Sequence, residues 1–261
     1  FAAAGPGTSH HVKVACDGPE ETAELDVRSL PEGVPDSASG RSLDVVIASC
    51  FHAKEVQAGA LRRIAGFKGD IRAAFRPAAT IFMGDQIYAD LPTLKNFPKS
   101  PFRLAEKFEA DLVRNWRDET GFDQLLRMAP VSFLPDDHEF WNNFPHKSPV
   151  VENSWTEGGR RRWAAAATAA YRAFQTPPDG RVGSSQTIDL GAVSIHLCDT
   201  RSFRKEDRST AAAPGALAAL ATWVADVNRK GQHGVFVTGQ SLLSAQTGAL
   251  KGSVADFELA D

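Results

Sequence analysis

Short apolar runs rich in β-branched residues alternate along this chain with longer stretches of helical spacing, and that alternation restricts its fold more than any other feature. Runs at residues 43–48, 79–83, 131–134, 186–190, 193–198 and 235–238 read as strands. Helical spacing fills 54–66, much of 101–128, 159–174 and 214–228, and Pro177-Pro178 stops the third of these. Interleaved strands and helices predict a layered α/β architecture, and Gly191-Ala192 between two of the strands predicts a hairpin. Residues 1–40 are rich in Gly, Pro, Ser, Asp and Glu, with one strand-like run at 11–16. They read as an N-terminal extension or the remnant of a small β domain, and 41–261 as the principal domain.

A net charge of −3 over 261 residues predicts neither nucleic acid nor an anionic membrane as partner, so a charged substrate must be met by local groups. No apolar stretch reaches the roughly 18 residues of a membrane span. Cys16, Cys50 and Cys198 form neither a disulfide framework nor a zinc knuckle, which leaves the redox compartment open. No dinucleotide or Walker fingerprint occurs, and Gly239-Gln240-Ser241 lacks the spacing of a nucleophile elbow. Arg160-Arg161-Arg162 reads as a solvated helix face and His10-His11 as incidental. The chain begins at Phe1 without a methionine or a signal-peptide pattern and ends at Asp261 within helical spacing, so a processed or truncated piece of a longer protein is expected.

The chemistry-bearing residues collect where strands stop. Ser49-Cys50, Gly84-Asp85, Asp136-Asp137-His138 and Asp199-Thr200-Arg201 each follow an apolar run directly. Sites in open α/β sheets gather beyond the carboxyl ends of strands, so four such ends at one edge would make one site. In Gly84-Asp85-Gln86-Ile87-Tyr88-Ala89-Asp90, three oxygen ligands suit hard cations, and a phenolate suits ferric iron. The same run equally reads as a strand followed by an Asp-capped helix with Tyr88 in the core. Asp136-Asp137-His138-Glu139, followed by Asn142-Asn143, is sharper, because adjacent carboxylates repel unless a cation or strong donors compensate them. An acidic helix start accounts for the acids there but not for the histidine or the paired asparagines. His138 could bind metal, or act as a general acid with its ring oriented by a carboxylate. Arg201 suits phosphate through its planar fork, although a structural Asp–Arg pair explains it as well. Cys50 offers a soft ligand, with a buried free thiol as the commoner alternative; Cys198 reads as core, and His52 as a residue of the pocket mouth or the surface.

Taken in this order, from about Leu43 to the C-terminus, these pieces resemble the alkaline phosphatase D (PhoD-like) branch of the calcineurin-like metallophosphatases. The resemblance implies a four-layer αββα sandwich with a metal cluster at one edge. It implies a phosphatase or phosphodiesterase acting on small phosphomonoesters, phosphodiesters or both through a metal-bound hydroxide or oxide. The metals implied are Fe3+ with Ca2+, where related branches use binuclear iron, zinc or manganese centres. By match, Cys50 and Tyr88 would bind iron, Asp85 would bridge metals, and Asp137 would stand where relatives place a metal-binding asparagine. His138 would contact phosphate or protonate the leaving oxygen, Arg201 would hold a phosphate oxygen, and Asp90 and Asn143 would be further ligands. The family pattern continues to a strand ending in a Gly-Asp-x-His-type element, whereas no histidine follows His233. An incomplete domain, or a non-catalytic metal- or phosphate-binding module, is the alternative expectation. Export to the periplasm or extracellular space is implied by the family alone.

Overall fold

The computed structural model describes residues 5–15, 22–34, 42–51, 77–94, 96–117, 122–176, 185–207 and 209–240. The expected helix at 54–66, together with Cys16, His52, Pro177-Pro178 and the helical spacing near the chain's end, lies outside the described residues. Three parallel strands form one sheet in the order β3-β4-β5: β3 (Val45–Ala48), β4 (Ala79–Met83) and β5 (Val131–Leu134). A second sheet, in the order β6-β7-β8, contains β6 (Gln186–Leu190), β7 (Val193–Cys198) and β8 (His233–Thr238). Here β6 and β7 make the expected antiparallel hairpin around Gly191 (φ +73°), and β8 runs parallel to β7.

Strand alternation decides what the sheets bury. Ile81 and Leu134 of the first sheet share one apolar cluster with Ile188, Leu190, Ile195, Leu197 and Val237 of the second, so the two sheets face each other. Phe82 and Phe133, one position out of phase, point to the opposite face. There Phe82 meets Phe122 of α2 (Phe122–Met128) at 4.9 Å between ring centres, and Phe133 stacks on Trp116 of α1 (Pro101–Arg117) at 5.4 Å. Burying each such side chain contributes about 2 kcal/mol. On the outer face of the second sheet, Trp223 of α4 (Ala216–Lys230) stacks on His196 and donates to Ser194 Oγ at 2.8 Å. Leu104, Phe108 and Leu112, spaced by four on α1, pack with Trp163, Ala166 and Ala167 of α3 (Glu157–Phe174).

Local chemistry moves several helix ends from where periodicity places them. Thr156 Oγ1 accepts from Gly159 N at 3.1 Å, so α3 starts two residues before the expected 159. Gly215 and Gly231, both left-handed, bracket α4, which therefore begins after Pro214 and runs on to Lys230. The helical spacing over 101–128 resolves into two helices, α1 and α2. Residues 9–28 hold more structure than expected: β1 (Ser9–Ala15) pairs antiparallel with β2 (Thr22–Arg28). The apolar alternation Ala23, Leu25, Val27 against Glu24, Asp26, Arg28 carries that signal. Val34 N then donates to Leu190 O at 3.0 Å and Leu30 packs on the inter-sheet cluster, which ties the ribbon to the second sheet.

Candidate metal centre

Because β3, β4 and β5 are parallel, their carboxyl ends open at one edge, and the second sheet closes on that edge. A Cβ on Gly239, just past β8, would stand 2.8 Å from Pro135 O and 3.3 Å from Met83 O. A Cβ on Gly84 (φ +95°) would collide with Asp136, so only glycine lets the turns after β4 and β5 cross this closely. Among the described residues, four non-glycines have positive φ, and three of them, Cys50 (+59°), Asp85 (+58°) and Asn143 (+65°), belong to these strand-end turns. Each such conformation costs about 1 kcal/mol or more and persists where surrounding contacts over-determine it.

Those contacts assemble one cluster. Asp85, Asp137 and His138 each offer a ligand atom, and these atoms all lie within 4.8 Å of one another. Cys50 Sγ approaches Asp85 Oδ2 at 3.6 Å and hydrogen-bonds with the Tyr88 hydroxyl. His138 N donates to Asp85 Oδ1 at 3.3 Å, Asn143 N donates to Asp137 Oδ2 at 2.5 Å, and the Tyr88 and His138 rings lie 4.3 Å apart. Burial, followed by the charge of Asp137, pushes the Asp85 pKa up to about 6. Burial, followed by the charge of Asp85, also drives the Tyr88 phenol upward, and burial raises the Cys50 thiol. Cys50 is exposed while Asp85 is buried, and in all three cases crowding by neighbouring anionic or ionisable groups opposes ionisation; a multivalent cation among them would reverse that cost. The donors are oxygen, sulfur and imidazole in close array, so the residues present fit a metal centre.

Around the cluster sits a shell of buried acids. Asp90 is fully buried, with Oδ1 2.8 Å from His138 Nδ1 and Oδ2 accepting from Asn142 N at 2.8 Å. Both its oxygens are thus engaged in orienting His138 and the following turn, where the resemblance implies a further ligand. Burial pulls the His138 pKa down, but the Asp90 hydrogen bond and the charges of Asp90, Asp137 and Asp85 outweigh it and hold it at about 9. Glu139, whose role is not evident from the sequence, accepts from three backbone donors: Asp85 N (3.0 Å), Gln86 N (2.6 Å) and Asp136 N (2.8 Å). It therefore locks the turn after β4 to the turn after β5. Its spacing from Asp136 is that of a capping box, the one local signal that could have exposed it.

Arg201 lies 1% exposed beneath this edge. Its Nε donates to Asp136 Oδ1 at 2.7 Å, Nη2 stands 2.6 Å from the same oxygen, and Nη1 donates to Phe144 O at 2.7 Å. A buried guanidinium needs such compensation. The fork thus grips Asp136 and the chain after β5, where the resemblance implies that it holds a phosphate oxygen. Asp199 prepares that placement by accepting from the backbone N of Arg201 and of Ser202, both at 2.9 Å. Cys198 is buried, as its strand position predicts.

A purple acid phosphatase isolated from yellow lupin (Lupinus luteus) seeds shares the fold at a TM-score of 0.51 and 15% identity, over 92% of this chain and 38% of that one. A structure of PhoD aligns at a TM-score of 0.49 and 16% identity, over 72% of this chain and 36% of the other. The chain therefore spans under two fifths of the length of either structure. No curated protein gives a significant match. The family model for PhoD-like phosphatases matches residues 45–245, more than half of the sequence, and the chain belongs to that family.

Proposed function

We propose that this chain carries the centre of a metal-dependent phosphoesterase that hydrolyses small phosphomonoesters, phosphodiesters or both. The observation that carries this reading is the convergence of Asp85, Asp137 and His138 within 4.8 Å at the joined strand ends. Cys50, Asp85, Tyr88 and Asp137 would hold the metals, Fe3+ with Ca2+ or a binuclear iron, zinc or manganese pair, and the Asn143 turn would steady Asp137 through its backbone N. Such a centre, when bound, neutralises the charge of the ester and activates the attacking water. On the same reading the two facing sheets and their outer helices form the four-layer αββα sandwich of the metallophosphatases.

The chain's own residues supply the proton chemistry. His138 carries its proton through neutral pH, because Asp90 holds Nδ1 at 2.8 Å and the nearby carboxylates favour the cation. It is the donor to the departing oxygen. Asp90 fixes the ring's tautomer and angle, while Glu139 and Arg201 hold the turns that bear Asp85 and Asp136. Protein purified without chelator should contain iron, calcium, zinc or manganese by elemental analysis and hydrolyse 4-nitrophenyl phosphate. Chelation should abolish that turnover and metal addition restore it. Protein with no bound metal, and no turnover after iron and calcium are added, overturns the reading.

A further inference from the structure

Below the Gly84–Asp90 turn, α1 sends a cation into an aromatic enclosure. Lys107 Nζ lies 5.0 Å from the centre of the Phe97 ring, 5.3 Å from that of Phe108 and 5.7 Å from that of Trp163. Its side chain is 16% exposed and pairs at 2.7 Å with Asp111, itself 15% exposed. A helical lysine–aspartate pair at this spacing could remain in solvent, where it needs no desolvation of the ammonium. Here the ammonium is instead drawn inward, and its other partner is the carbonyl oxygen of Ala89.

That carbonyl belongs to a peptide held from two sides. Ala89 N donates to His138 O at 3.2 Å, while Ala89 O accepts from Lys107. The next residue is Asp90, whose two oxygens meet His138 Nδ1 and Asn142 N. Lys107 is therefore one residue removed from the carboxylate that sets the His138 ring, on a helix that contributes nothing to the ligand cluster. The aromatic walls give it a fixed place, since cation–π contact with several faces restrains a side chain that is otherwise among the most mobile. Burial draws the Lys107 pKa down, while Asp111 and, further off, Asp90 draw it up, so the ammonium and Asp90 sense each other's charge.

We propose that Lys107 is a positioning residue for proton donation by His138, acting through the Ala89–Asp90 turn. This rests on the phosphoesterase reading. A residue that serves folding alone lowers turnover of every ester by the same factor; one that sets the acid matters most where the leaving oxygen needs a proton. Lys107→Met keeps the apolar stem and removes the donor, and Lys107→Arg keeps a charged donor. In the full chain supplied with iron and calcium, Lys107→Met should lose about tenfold more kcat on phenyl phosphate than on 4-nitrophenyl phosphate, with KM little changed. Lys107→Arg should recover most of that difference.

If Lys107→Met folds poorly, Lys107→Leu, which also removes the donor, carries the same comparison, because a ratio of two substrates is independent of the folded fraction. A readout without turnover is the His138 Nδ1–H proton in NMR of the full chain under chelation, identified by its loss in His138→Gln. It should be sharp in the unaltered chain and in Lys107→Arg, and broadened by exchange in Lys107→Met. Equal losses on both esters, or an unchanged proton signal, overturn the role of Lys107 and leave the phosphoesterase standing. No hydrolysis by the unaltered chain overturns the phosphoesterase reading and this role with it.

Discussion

His138 and His196 are both largely withdrawn from water in or just after a strand, and the protein treats them in opposite ways. His138 follows β5 and is joined to Asp90 at 2.8 Å, with Asp85 and Asp137 nearby; its pKa rises to about 9 although burial opposes the rise. His196 sits in β7 on the outer face of the second sheet, stacked on Trp223 and Phe236, with Thr187 Oγ1 3.1 Å from its Nδ1. Burial alone lowers its pKa. Desolvation is common to both, so the carboxylates make the difference. One face of the molecule accumulates charge, positive φ and shared hydrogen bonds, and the other packs rings. A cation would offset the charge where the carboxylates converge, whereas the rings beneath α4 gather no such charge.

The two faces of the molecule differ most at Asp137. Asp137→Ala should weaken metal binding by about 100-fold or more and abolish turnover, as read by elemental analysis after dialysis and by ester hydrolysis; full metal content would remove Asp137 from the ligand set. His138→Gln should retain metal while kcat falls on the order of 100-fold. A profile unchanged from the unaltered chain would take proton donation away from this residue. His196→Gln should leave turnover unaltered in both measurements.

Glu139 sharpens the contrast through stability. Removing its side chain strands the buried N–H groups of Asp85, Gln86 and Asp136, so Glu139→Ala should cost about 3 kcal/mol or more in urea unfolding. A loss under about 1 kcal/mol would mean that the three donors find other partners.

The smallest effect separates the two histidines by sign. The raised pKa of His138 means that its contribution to the stability of the metal-free chain is fully present below about 6.5 and is lost as pH rises toward about 9. The lowered pKa of His196 acts the other way, since the unfolded chain takes up its proton first and stability falls as pH drops below about 6.5. Measured against the parent in urea unfolding, His138→Gln should therefore show a loss of stability that develops as pH falls from about 9 to about 6.5, and His196→Gln a gain that develops below about 6.5. Changes of the same sign in the two variants would contradict the assigned environments.

Much of the site is legible in the order of residues. Apolar runs that stop abruptly at Gly84-Asp85, Asp136-Asp137-His138 and Asp199-Thr200-Arg201 announce strand ends, and parallel strands present such ends on one edge. Helix ends are less legible at Thr156 and Gly215, because a cap is chosen by one hydrogen bond or one φ angle and not by periodicity. The strand β2 is harder still to recognise, because its alternation is short and rich in charge.

Residue order therefore settles which side chains leave the strand ends and which faces turn inward, since both follow from local period and from glycine. It does not settle which charge each side chain meets. Asp90 reaches His138, Glu139 reaches the amides of Asp85 and Gln86, and Arg201 turns to Asp136 across separations of 48, 54, 53 and 65 residues. Electrostatic roles depend on distance and solvent access, and folding alone sets both. That is why the partly buried His138 and the fully buried His196 take opposite parts in one chain, and why Arg201, for which residue order allows either a phosphate contact or a structural pair with an aspartate, grips Asp136.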